Sequence, residues 1–178
     1  MVDKKKLRFK IGDWIVHHFH GVGKVHDIEE KGLDGEKNTF YKVTTKDIDY
    51  WIPIENDDKN HLEPIRSKDD FECAIEILSQ APEPFSDHPQ SRKKQIQEKW
   101  QDGCLQSRAE LIRDLNGRMI HEHLNFDEKE MLEKAVSDFI NEWTIVDKEI
   151  SASTASMSIN QSLENSLQHH QESEVVNN

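Results

Sequence analysis

Between Phe9 and Ile28 two runs of β-branched and aromatic residues flank a glycine-punctuated reversal, which commits the chain to an antiparallel start. Gly12-Asp13 opens the run Trp14-Ile15-Val16-His17-His18. Gly21 and Gly23 then supply the positive φ or close approach that a tight reversal needs, and Val25-His26-Asp27-Ile28 resumes a period of two. This is the opening of a small binding barrel, not of an enzyme core.

The same pattern continues through residue 66. Strands are expected at about 13–18, 23–30, 39–45 and 48–54, with turns at Gly21-Val22-Gly23, Leu33-Asp34-Gly35-Glu36 and Lys46-Asp47. Pro53 suits a strand edge, where a missing N–H is tolerated. A short strand around Leu62 is placed to close a curled SH3-like or Tudor-like sheet. A basic arm (Lys4, Lys5, Lys6, Arg8, Lys10) precedes it.

Beyond residue 66 the period becomes helical. Ser67 and Asp70 read as a capping box for a helix over 68–80, whose core stripe is Phe71, Ala74, Ile75 and Leu78. Pro82, Pro84 and Pro89 break the chain into an elbow, and Asp87 is the expected N-cap of a second helix over 90–101. Gly103 is placed to end it. A third helix over 105–123 and a fourth running to about 147, capped near Asn125, complete a four-helix bundle. From residue 150 the sequence is rich in Ser, Asn and Gln, with too few large apolar residues to offset ordering, and disorder is expected. Ile159, Leu163 and Leu167 leave room for a transient helix.

The fold class is therefore α+β in three parts: a β domain over 1–66, a helical domain over 67–149 and a tail over 150–178. With 34% hydrophobic against 33% charged residues, two small cores suit the chain better than one thick one. No apolar run approaches 18 residues, so no membrane association and a cytoplasmic location are expected. Net charge is −12, and it is unevenly spread. Residues 1–66 carry 12 Lys and Arg against 13 Asp and Glu, whereas 67–149 carry 11 against 19. An acidic helical half opposes nonspecific DNA affinity, which draws on clustered cations.

Chemistry-bearing clusters are few. His17, His18, His20 and His26 are too few on one strand face for a metal centre, and no Cys or carboxylate joins them at ligand spacing. Cys73 and Cys104 lack paired spacing and read as reduced helix residues. No phosphate-binding glycine loop, nucleophile elbow or zinc-protease motif occurs, so neither catalysis nor a cofactor or small-molecule substrate is expected. The fourth helix, with Asp127, Glu128, Glu130, Glu133, Asp138, Glu142 and Asp147, is expected to present its carboxylates to solvent or to a basic partner.

The ordered set of Phe9 to Val25, Tyr50-Trp51-Ile52-Pro53-Ile54-Glu55-Asn56, Gly103 to Leu115 and Glu128 to Ala135 resembles the CarD family of bacterial transcription regulators. That family shares its N-terminal module with the transcription-repair coupling factor. The resemblance implies a monomer that docks on the RNA polymerase β subunit and modulates promoter open-complex stability. Docking would proceed by strand addition at the edge 48–54, with Lys31, Tyr50, Trp51, Ile52 and Pro53 as the polymerase-binding residues. Trp51 stands where the family has a contacting arginine; packing within the sheet is the alternative for both Trp14 and Trp51. The resemblance also implies promoter DNA contact by the helical domain. The family's minor-groove tryptophan falls at Pro89 or Gln90 here, which leaves Phe85 as the candidate wedge and Gln90, Arg92, Lys93 and Lys94 as candidate DNA contacts. The rival reading is a protein-interaction adapter whose barrel binds a partner other than polymerase.

Overall fold

The computed structural model describes residues 7–33, 36–54 and 62–176. The arm residues Lys4 to Lys6 and the Asp34-Gly35 turn lie outside these. The chain divides into two compact units, Met1–Ile65 and Arg66–Asn178.

The first unit is an antiparallel sheet of β1 (Trp14–His17), β2 (Gly21–Leu33), β3 (Glu36–Thr44), β4 (Asp49–Pro53) and β5 (Leu62–Pro64), in the order β4-β3-β2-β1-β5. The expected closure does not occur. β5 pairs with β1, so β4 and β5 are opposite edges of an open sheet rather than neighbours in a barrel. The alternation of β3 and β4 decides which side chains are covered. Tyr41, Val43 and Ile52 turn into a core shared with Phe9, Ile15, Val25, Ile54 and Leu62. Gly21 takes the positive φ of 70° that the first reversal requires. Gly23 answers the other need, since a Cβ there would stand 2.6 Å from Val43 Cγ1.

The second unit has five helices: α1 (Lys68–Leu78), α2 (Pro89–Asp102), α3 (Leu105–His121), α4 (Phe126–Val146) and α5 (Ala152–Val176). The Ser67–Asp70 capping box is formed, and the Ser67 backbone N–H holds the Asp70 carboxyl below its ordinary value. Asn125 and Glu128 form a second box at the start of α4. The cap of α2 differs from expectation: His88, not Asp87, is the N-cap, no side chain caps it, and Pro89 occupies the first turn.

The tail is corrected outright. Ala155, Ile159 and Leu163 of α5 are buried in one core with Phe71, Leu78, Leu105, Ile112, Phe139 and Trp143, and Ser166 Oγ donates to the Gln80 carbonyl at 2.6 Å. Composition underrated this helix because its contact face is built from small residues. Ser162 and Ser166 are buried beside the few large ones, so close backbone approach replaces side-chain bulk. The bundle consequently has five helices, not four.

Candidate functional site

In the first unit the edge strand β4 places Trp51 on the face opposite the core. Register sets Trp51 beside Lys42 of β3, and Lys42 beside Asp27 of β2. The indole lies exposed under a cation: Lys31 Nζ stands 3.4 Å from the ring centroid and Lys42 Nζ 5.6 Å. Trp51 Nε1–H donates to Glu29 Oε2 at 2.9 Å, and Glu29 lies 3.5 Å from Lys31 and 3.9 Å from Lys42. One carboxylate thus orients a tryptophan and two lysines on a single sheet face.

The backbone of β4 completes the arrangement. Ile54 N–H donates to the Thr39 carbonyl and Thr45 N–H to the Ile48 carbonyl, which makes the even-numbered residues of β4 the ones bonded to β3. Antiparallel parity then directs the main-chain groups of Asp49 and Trp51 away from the sheet. Pro53 contributes a carbonyl and no N–H on the same side.

The five residues expected to meet polymerase therefore separate. Lys31 and Trp51 stand together on the outer face and Pro53 is exposed beside them, whereas Ile52 is buried in the core. Tyr50 also turns inward: its ring lies against His20 and His17, at centroid separations of 4.4 and 5.6 Å. Burial pushes the Tyr50 hydroxyl above its ordinary range. The turn after β1 also draws two histidines together. His17 ends β1 and its Nδ1 accepts from the Phe19 N–H at 3.1 Å, and the turn brings the His17 and His20 rings to a centroid separation of 4.7 Å.

In the second unit the five candidate DNA contacts do not form one surface. Phe85 is buried with Ile96, Leu111, Leu115 and Leu124, so its ring has no freedom to enter a base step. Arg92 is also buried. Its Nε–H donates to Glu128 Oε1 at 2.7 Å, and Nη1 donates to the Ser86 and Asp87 carbonyls, each at 3.0 Å. That guanidinium clamps the elbow and α4 and has no reach toward a phosphate. Gln90, Lys93 and Lys94 remain exposed, Lys93 at 3.6 Å from Asp127 and Lys94 at 3.6 Å from Glu98.

The sequence did not reveal that several carboxylates of this half are internal. Glu142 is buried between Arg66 at 3.5 Å and Arg108 at 3.3 Å. Burial lowers the Arg108 pKa against the opposing pull of Glu142. Asp114 accepts from Arg113 at 2.7 Å, from Lys99 at 3.0 Å and from the Glu83 N–H at 2.9 Å. Burial alone would lower the Lys99 pKa, but its hydrogen bonds to Glu110 and Asp114 outweigh this and raise it. Phe126, which follows the Asn125 cap of α4, is the most exposed Phe, Trp or Tyr among the described residues at 78%.

Residues 9–66 match the profile of the CarD-like/TRCF RID domain, and residues 73–160 match that of the CarD C-terminal domain. The chain belongs to the CarD-like family. A Bacillus subtilis (strain 168) relative, the candidate transcription factor YdeB, is 28% identical over 140 residues, covering 78% of this chain and 92% of that protein. CarD-like membership gives the chain a role in transcription regulation, with an RNA polymerase-interacting domain followed by the family's helical domain. The Arg113-Asp114-Leu115 motif of this CarD-like chain has a structural basis, since Asp114 ties α3 to both α2 and the proline elbow. No helix among the described residues is long and apolar enough to cross a membrane.

Proposed function

We propose that this chain is a CarD-like transcription factor whose first unit docks on the RNA polymerase β subunit through β4, and whose helical unit modulates promoter open-complex stability with little direct DNA contact of its own. The observation that carries the reading is the conjunction at Trp51. An outward-facing main chain on an edge strand and an exposed, oriented aromatic side chain occur at the same residue. Strand addition uses the first for affinity and the second for specificity.

The reduced role of DNA rests on side-chain occupancy. Arg92 and Phe85 are held inside the bundle, and the two exposed lysines of α2 each lie near a carboxylate. What remains is too small a cationic surface for appreciable counterion release.

The test is binding of the full chain to the isolated β-subunit lobe, alongside its Trp51→Ala variant. Saturable binding that weakens at least tenfold in the variant is the expected result. A full chain that does not bind the lobe would overturn the reading and favour an adapter that serves a different partner.

A further inference from the structure

A groove of about 490 Å³ runs between α2 and α4, and no residue of α5 lines it. It exists because both helices pack on α3 while their own backbones scarcely meet. Ile96 and Met131 form its floor, and Pro89 and Gln90 open its N-terminal end. Elsewhere in the unit the corresponding problem is solved internally. α5 lies against α1, α3 and α4 and buries Ala155, Ile159 and Leu163 there. Nothing in the described chain does the same between α2 and α4.

The rim specifies charge. Asp127 and Glu130 line the α4 side and Glu133 extends the same exposed face. The α2 side offers Gln90, Lys93 and Gln97, and its one cation already faces Asp127 at 3.6 Å. Lys134 sits at the far end, over the Trp100 ring at 5.5 Å and near Asp138 at 3.2 Å. The apolar floor is thus edged by Asp127, which shares Lys93, and by the exposed Glu130 and Glu133, which have no ion-pair partner among the described residues, so the surplus rim charge on the α4 side is negative and complements a cationic, apolar occupant.

We propose that the α2/α4 groove binds a basic amphipathic helix of a partner protein. Its apolar stripe would cover Ile96 and Met131 and its Lys or Arg flank would run along Asp127 and Glu130, in the helix-in-groove mode. The site lies wholly within Arg66–Asn178, so it stands or falls independently of polymerase docking by β4.

The test uses the full chain and a fluorescent 18-residue peptide with leucines at i, i+3, i+4 and i+7 and lysines on one flank, read by anisotropy. A scrambled peptide of equal composition is the control for simple polycation binding. Two variants alter exposed rim positions only: Gln97→Trp, which fills the groove, and Asp127→Lys with Glu130→Lys, which reverses its charge. Saturable binding of the patterned peptide, at least tenfold tighter than the scrambled one and weakened tenfold or more by each variant, is expected. Equal binding of both peptides, indifference to Gln97→Trp, or no binding would overturn the proposal. So would self-association of the chain that Gln97→Trp abolishes, because the groove would then belong to a second copy.

Discussion

Arg92 and Glu128, 36 residues apart, meet at 2.7 Å inside the helical unit, each about nine-tenths buried. The pair joins α2 to the first turn of α4, where Glu128 also completes a capping box with Asn125. Removing the guanidinium leaves a buried carboxylate without its closest cation. Arg92→Ala should therefore cost about 3–5 kcal/mol of stability. Lys93→Ala and Lys94→Ala, at exposed positions, should each stay within about 0.5 kcal/mol in the same denaturant titrations.

The elbow and α3 approach so closely that a side chain at Gly117 has no room: its Cβ would stand 2.5 Å from Pro82 Cβ. Gly117→Ala should destabilise by about 1–3 kcal/mol, because the proline ring cannot rotate away. The double variant with Pro82→Ala should recover part of this loss, and a double-mutant cycle measures the coupling.

Trp51 separates binding from folding. The residue is 41% exposed, and truncation removes one hydrogen bond and its cation contacts on the sheet surface. Trp51→Ala should lower stability by about 1 kcal/mol or less. A loss of about 2 kcal/mol in lobe binding, or roughly 30-fold, is expected from an interface anchor. Unchanged lobe affinity with a folded variant would remove Trp51 from the docking surface.

Tyr50 predicts an alkaline dependence. Its hydroxyl is buried without a hydrogen-bond partner among the described residues, and burial raises its pKa from the ordinary 10.0. A folded state that keeps the phenol neutral, against an unfolded state that ionises near 10.0, loses stability as pH rises above that value. Tyr50→Phe has no proton to lose. Its melting temperature should fall less than that of the parent between about pH 9.5 and 11, and at neutral pH it should match or exceed the parent.

Deletion of residues 151–178 should lower the melting temperature sharply, and Ile159→Ala alone should cost about 2–4 kcal/mol, because α5 contributes Ala155, Ile159 and Leu163 to the main core. A truncated chain that melts like the parent would mean that α5 does not dock in solution.

Where the determinant was local, the sequence was readable. Ser67 with Asp70, and Asn125 with Glu128, each lie three positions apart, and both boxes form. Gly103 ends α2 at a φ of 69°, as its position indicated. What escaped was set by distant partners. Glu142 looked like one more solvated acid because Arg66 and Arg108 lie 76 and 34 residues away. Phe85 and Arg92 carried the expected chemistry for a DNA face, but only the packing of the elbow on α3 and α4 reveals that both point inward. Trp51 was legible as a position of interest, whereas the Glu29 carboxylate that orients it sits on another strand, 22 residues earlier.

Pro53 at the end of β4 sets a limit on the edge it borders. A bare strand edge is a template that can recruit further strands without limit, including those of identical chains. Within β4 the outward donors are those of Asp49 and Trp51, because the next outward position, Pro53, has no N–H to offer. The border that β4 offers a guest strand is therefore two donors long, which limits the length of strand that can pair there.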